Sequence, residues 1–306
     1  MGDPAGIGPE LCLRLLAEPQ VLGVCEPIIF GDRHLLARVA DRLQWRAPAE
    51  ESVHHIRGLK VDDVRPGIVD AECGRYSFRC VEQAIDAAMT KKVAALCTMP
   101  INKESWHEAG ISYPGHTELL VEKTATIRYC MMLTAPEVTC SLATTHVGFA
   151  DVPKALTSER IAAALELTHA MMLKLRGRPP RLVVLGLNPH AGEHGLFGHG
   201  EEERIIAPVI AEARSKGWHV DGPMSADTAF VAGQRSSTDA YICMYHDQGL
   251  IPLKTLAFDS AANVTLGLPI VRTSPDHGTA YDIAWTGTAR ADSAVQAMLL
   301  AAQLVS

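Results

Sequence analysis

The sequence has no CxxC pair, no excess of basic residues, no internal repeat, no low-complexity tract and no apolar run of the roughly 18 residues that a membrane span needs. Each absence removes a class of protein. Without paired cysteine spacing, the eight cysteines do not describe a disulfide framework; most lie inside apolar runs such as LCLRLL, AALCTMP and YICMYH, which predicts reduced, buried thiols in a reducing cytoplasm. With a formal net charge of -7 and an isoelectric point near 6.0, the chain lacks the electrostatic footprint of a nucleic-acid binder, so any phosphate it binds must be met locally. No basic stretch precedes a short apolar one at the start, so no secretory signal is read and no membrane partner is expected. What remains is 306 residues, 47% hydrophobic and 21% charged, enough for two ordinary domains or one large one.

A dinucleotide fingerprint is also missing. The opening MGDPAGIGPE is rich in glycine, but Gly2, Gly6 and Gly8 do not match G-x-G-x-x-G, and no strand precedes them. The stretch reads instead as a helix start, with Pro9 at the first helical position and Glu10 in the first turn, where the helix dipole favours a carboxylate.

Several apolar runs end in polar, glycine- or histidine-bearing turns: PIIFGD, VAALCTMP, VTCSLATTHV, RLVVLGLNPH, AYICMYHD and NVTLGLP. Buried parallel strands have this form. Helical patterns lie between them at 76–92, 117–125, 158–175, 201–216 and 291–304, the third opening on a Thr157 or Ser158 cap and stopping at RGRPP. The alternation predicts an α/β architecture with mainly parallel sheet.

Three of the predicted strands end on histidine: His146, His190 and His246. Singly, each is as readily a hydrogen-bonded core residue. Together they stand where open α/β sheets gather ligands, outside the carboxyl ends of strands, and three imidazoles suit a divalent metal such as Zn or Co. An added carboxylate, Asp227 or Asp247, would admit harder cations such as Mg. In PGHTELL, Gly115, His116 and Thr117 precede a helix bearing Glu118, an arrangement that either caps the helix or holds an anion. Lys254 and Arg272, flanking Asn263, sit in segments too apolar for surface and point to a buried anion. SPDHGTAYDIA at 274–284 is crowded with turn formers and ionisable groups, as in a loop that carries function or caps a sheet end.

Taken in order, GDPAGIGPE, PGHTELL, ATTHV, LGLNPHAGE, ADTAF, MYHDQGLIPLK, NVTLGLP and RTSPDHGTAYDIA cover nearly the whole chain and resemble the 4-hydroxythreonine-4-phosphate dehydrogenase (PdxA) family of pyridoxal 5'-phosphate biosynthesis. The opening also resembles the GDGIGPE start of isopropylmalate and isocitrate dehydrogenases, and DHGTAYDIA their cofactor loop. The resemblance implies a two-domain isocitrate/isopropylmalate dehydrogenase-like α/β fold with the active site in the interdomain cleft. One domain would comprise 1–110 and 255–306 with the cofactor loop, the other 111–254 with the metal ligands and the dimer interface. It implies that His146, His190 and His246 bind the metal, with His246 coming from the partner in a homodimer. By the same likeness His116, Thr117, Lys254, Asn263 and Arg272 hold the phosphorylated substrate, Asp227 and Lys254 are catalytic, and Asp276, His277, Gly278 and Asp282 meet NAD or NADP.

The implied reaction is oxidation of 4-phosphooxy-L-threonine at its C3 hydroxyl followed by loss of CO2. A paralogue acting on 4-phospho-threonate or 4-phospho-erythronate would share these motifs, and a protein that binds metal and phosphometabolite without turnover would share many of them. Three departures from the family pattern stand out: Trp285 where a glycine is usual, Ala261 and Ala262 in place of a Gly-Val pair, and His194 where a glycine is common. Trp285 is expected to alter the nucleotide pocket. Family members carry a short strand ahead of the glycine turn, and Met1 stands where that strand would end, so an incomplete sequence is expected.

Overall fold

Six of the ten strands account for the six apolar runs. The computed structural model describes residues 1–306, which divide into two units: Met1–Thr126 with Leu268–Ser306, and Ile127–Gly267. The first unit holds β1 (Ile29–Gly31), β2 (Val53–His55), β3 (Ala95–Cys97) and β10 (Val271–Pro275). The second holds β4 (Cys130–Ala135), β5 (Val138–Leu142), β6 (Arg181–Leu185), β7 (His219–Met224), β8 (Ala240–Cys243) and β9 (Ala262–Leu266).

Within the second unit the strand order is β9-β4-β5-β8-β6-β7. The last four run parallel, as the continuous apolar runs predict. β4 departs from the expected parallel sheet: it is antiparallel to both β5 and β9 and joins β5 through a two-residue connection at 136–137. Leu250, Leu253 and Ala257 of the helix His246–Ala257 are buried in one cluster with Leu142, Val183 and Tyr241 of the strands. Each such leucine contributes roughly 1.5–3 kcal/mol. The helix Ser158–Arg176 matches its predicted limits; Thr157 Oγ1 accepts from the Arg160 amide at 3.3 Å, and Gly177 ends it with a left-handed φ of 65°.

In the first unit β1 pairs with β2 and β3 with β10, both in parallel. Leu11, Leu35, Leu36 and Val39 form one core cluster with Trp285. Val81, Ile85 and Trp106 form another with Leu119 and Leu120. That second cluster explains why the helix His116–Lys123 belongs to the first unit, so that the division falls after 126 rather than after 110. The pairing of β9 with β4 likewise keeps residues 255–267 in the second unit. An apolar cavity of about 330 Å³ is bounded by β1 and β3, with Met1 in its wall and the Met1 amine donating to the Phe30 carbonyl at 3.1 Å. All eight cysteines are unpaired; burial pushes the Cys97 and Cys130 thiols up to about 12, which makes them inert at neutral pH. No helix is long and apolar enough to cross a membrane.

Candidate active site

The parallel order β5-β8-β6-β7 puts four functional segments side by side at the carboxyl edge of one sheet. His146 follows β5, His246 follows β8, His190 follows β6 and Asp227 follows β7. His146, His190 and Asp227 are exposed and His246 is half-buried. The rings of His146 and His246 lie 5.9 Å apart, and His246 Nδ1 is 2.7 Å from Asp247 Oδ1, which sets the orientation of that imidazole. Asp227 is held below the usual carboxylate range, first by a hydrogen bond from the Ser225 hydroxyl and also by the nearness of His190. The imidazole and carboxylate donors are of the right type for a divalent ion. Within a single chain, however, no three His, Cys, Asp or Glu side chains converge tightly enough to hold one.

The His190 segment is unusual. His190, Ala191, Gly192, Glu193 and His194 all have positive φ, between 42° and 79°, so five successive residues make a left-handed turn. Non-glycine residues resist this by about 1–2 kcal/mol each. The turn is held from behind by two acidic residues that sequence inspection did not single out. Glu202, only 2% exposed, accepts from the amides of Leu187 (2.9 Å) and Asn188 (2.8 Å) and from Asn188 Nδ2 (3.0 Å). Glu201 accepts from the His199 amide (2.7 Å) and from Asn188 Nδ2 (3.0 Å). Glu202 opens a π-helical turn, Glu202–Ile206, a feature frequent at functional sites. His194, the departure from the family pattern, is one of the left-handed residues, which is why glycine suits that position.

The remaining substrate candidates of this unit are Lys254 and Asn263. Lys254 lies in the helix that begins at His246, with its ammonium 5.8 Å from the centre of the Phe258 ring. Asn263 is in β9, and its buried Oδ1 has no hydrogen-bond partner.

In the first unit, Arg272 is buried at 3% exposure, and its Nε and Nη2 both donate to Thr98 Oγ1, at 3.1 and 2.7 Å. Burial pulls its pKa down to about 10, which leaves it charged at neutral pH. Burial, the Arg272 charge, the Met1 amine and Lys103 together drive His116 well below its ordinary pKa. Its Nε2 is buried without a partner. A neutral imidazole N–H beside a fixed guanidinium is a donor set matched to a phosphate. Thr117 follows His116 in the first turn of the helix, and Lys103, which opens the helix after β3, is a further cation near His116.

The purpose of the opening glycine turn is now visible: it clamps the 276–289 loop. Asp3 accepts from the Tyr281 hydroxyl (3.1 Å), Pro4 O from Trp285 Nε1 (3.1 Å), Thr279 O from the Ile7 amide (3.0 Å), and the Glu10 carboxylate from the amides of Gly287 (3.2 Å) and Ala289 (3.1 Å). Asp276, His277, Gly278 and Asp282 all stand on the loop so held; the Asp276 amide donates to Ser293 Oγ at 2.9 Å. Trp285, expected to alter the nucleotide pocket, lies in the core of the first unit. It is 1% exposed, packed in the core and stacked near the Arg38 guanidinium at 5.3 Å. Its φ of 59° shows why glycine is the easier residue there; burial of the indole offsets the strain.

Burial raises Asp3 from 3.8 to about 6. The folded chain therefore holds a proton that the unfolded chain has already lost between pH 4 and 6. Stability falls as pH rises through that window, by about 3 kcal/mol at most. Urea unfolding of the wild type and Asp3→Asn at pH 4 and pH 7 should show the variant losing less stability over this interval; equal losses would contradict the shift.

A parallel sheet with imidazoles and a carboxylate on its carboxyl edge, in a chain that also buries a guanidinium beside an imidazole, defines an α/β enzyme for a small anionic substrate. The chain belongs to the PdxA family: the family model described as "Pyridoxal phosphate biosynthetic protein PdxA" matches residues 23–301. It is 44% identical to a 4-hydroxythreonine-4-phosphate dehydrogenase of Geobacter metallireducens, over 99% of this chain and 94% of that protein. It is 38% identical to a D-threonate 4-phosphate dehydrogenase of Cupriavidus necator, over 100% of this chain and 96% of that one. The crystal structure of the 4-hydroxythreonine-4-phosphate dehydrogenase of Klebsiella pneumoniae superposes with a TM-score of 0.87 at 40% identity, covering 100% of this chain and 98% of that one.

Proposed function

We propose that the chain is an NAD(P)-dependent oxidoreductase that oxidises 4-phosphooxy-L-threonine at C3 and decarboxylates the product to 3-amino-2-oxopropyl phosphate, in pyridoxal 5'-phosphate biosynthesis. The observation that carries this is the alignment of His146, His246, His190 and Asp227 on one sheet edge, in a chain that also buries Arg272 and His116 as anion donors. Arg272, His116 and Thr117 of the first unit hold the phosphate, Lys254 and Asn263 are the substrate-binding groups of the second, and this remote binding energy orients the reacting carbon. Asp227, kept ionised by Ser225, takes the C3 hydroxyl proton, and a bound NAD(P) would supply the hydride acceptor. The bond to the carboxylate then breaks with release of CO2, and Lys254 returns a proton to the carbon left behind. Asp276, His277, Gly278 and Asp282 line the nucleotide. A divalent ion of the Zn, Co or Mg kind, held by His146, His190 and His246, would acidify the hydroxyl and polarise the ketone.

A homodimer with shared metal ligands accounts for the absence of a three-donor cluster within one chain. The second unit also exposes Phe149 (76%), Leu196 (76%), Ile251 (65%) and Phe258 (68%), large apolar side chains of the kind that a second copy covers. Relatives of both names at similar identity keep D-threonate 4-phosphate as the second substrate reading.

The test is NADH or NADPH formation by metal-supplemented protein offered 4-phosphooxy-L-threonine and 4-phospho-D-threonate separately. Higher kcat/KM for the amino acid supports the proposal, higher kcat/KM for the hydroxy acid selects the paralogue, and turnover of neither refutes both. Refolding inactive His190→Ala and His246→Ala chains together should restore about one quarter of wild-type activity if each site borrows His246 from the partner. No restoration would place all three ligands in one chain.

A further inference from the structure

Behind the exposed histidines runs a buried line of hydrogen bonds that crosses the ends of the strands. Thr144 Oγ1 donates to the Met244 carbonyl at 2.6 Å. The Met244 amide donates to Gln248 Oε1 at 2.7 Å, and Gln248 Nε2 donates to the Gly186 carbonyl at 2.7 Å. The Gly186 amide then donates to the Met224 carbonyl at 2.8 Å. Thr144 and Met244 stand two residues before His146 and His246, Gly186 four before His190, and Met224 three before Asp227. Thr144, Met244 and Gln248 are 1%, 0% and 7% exposed.

We infer that Gln248, seconded by Thr144, is a positioning residue that fixes the spacing of the His146, His190 and His246 segments. β8 ends at Cys243, so the Met244 peptide lies past its regular ladder and is held on both sides by side chains instead. Gln248 bridges two strands because a carboxamide offers an acceptor and a donor from one planar group. Met244 N–H requires the acceptor and Gly186 C=O the donor, so the orientation of the amide is fixed by its partners. A glutamate there would turn a lone pair toward the Gly186 carbonyl, and a leucine would leave both groups buried and unbonded. The line is buried, whereas His146 and His190 beyond it are exposed and His246 is half-buried. Residues of this kind tune a site through ligand placement and commonly change metal affinity or turnover 10–100-fold.

The inference rests on the histidines being ligands, and its test separates the two claims. Full-length wild type, Gln248→Leu, Gln248→Glu and Thr144→Val are compared for Co²⁺ affinity by competition with a chromophoric chelator, for kcat and KM, and for Tm. Gln248→Leu is expected to weaken Co²⁺ binding and lower kcat, each roughly 10–100-fold, while KM for the phosphorylated substrate moves less than about threefold. Thr144→Val, which removes one bond and keeps the shape, should weaken Co²⁺ binding about 3–10-fold even if Gln248→Leu does not fold. A lowered Tm with Co²⁺ affinity and kcat within about twofold of wild type would make the line merely structural and overturn the proposal. A wild type that binds no Co²⁺ removes the ligand reading, and the kcat ratio then decides the positioning role alone; no binding and no turnover overturn both.

Discussion

Replacing Arg272 with methionine is expected to lower kcat/KM by roughly 10²–10³-fold while Tm holds or rises. The two effects have opposite signs because a buried guanidinium works against the fold and for the substrate. Arg272 is 3% exposed, and burial has already lowered its pKa to about 10, the mark of a charge taken out of water. A methionine of similar length fills the space without that desolvation, which offsets the loss of the two hydrogen bonds to Thr98 Oγ1. If Arg272 holds the phosphate as proposed, the same exchange removes a charge-assisted donor to it, and the neutral His116 beside it cannot compensate for a lost full charge. Steady-state kinetics and a thermal melt on one preparation check both halves. A variant with near wild-type kcat/KM would remove Arg272 from the anion site, and one that fails to fold would show the charge to be a structural requirement.

Glu202→Ala should have the largest effect on stability, about 3–5 kcal/mol by urea unfolding, with activity lost more than about 100-fold. Three donors, Leu187 N, Asn188 N and Asn188 Nδ2, converge on this carboxylate, and the chain they fix runs directly into the left-handed turn. His190, Ala191, Glu193 and His194 together store about 4–8 kcal/mol of backbone strain, which only the surrounding bonds keep in place. Gly192 has no room to adjust, since a Cβ there would lie 2.7 Å from Glu202 Oε2. Without the carboxylate the turn should relax toward negative φ and carry His190 away from the sheet edge. Limited proteolysis should then cut within 188–199, and Glu202→Gln, which keeps an acceptor, should lose less. Wild-type protease resistance in Glu202→Ala would show that the turn is held by other contacts.

The sequence alone determined the elements and the chemistry types. β6 and β8 are almost wholly apolar and β5 is buried along its whole length, so burial is written into consecutive residues, and the histidines that follow them are visible as interruptions. The helix Ser158–Arg176 was readable because its cap and its glycine stop act within a few residues. β4 was not, since its link to β5 has Pro136 and Glu137 where a readable hairpin would have Asn-Gly or Asp-Gly. β7 was hidden for a similar reason, its run HVDGPM being broken by glycine and proline.

Tertiary structure alone decided which elements are neighbours. The order β5-β8-β6-β7 brings together segments separated by up to about a hundred positions, and no local pattern encodes that order. Glu10 has its hydrogen-bond donors at Gly287 and Ala289, Asp3 has its donor at Tyr281, and the place of Trp285 in the core depends on the Pro4 carbonyl. Glu202 and Gln248 look like ordinary polar residues in helical segments until their partners close around them. A side chain's type and its local backbone preference travel with the sequence. Burial, a shifted pKa and a completed hydrogen bond belong to groups that meet only after the chain has folded.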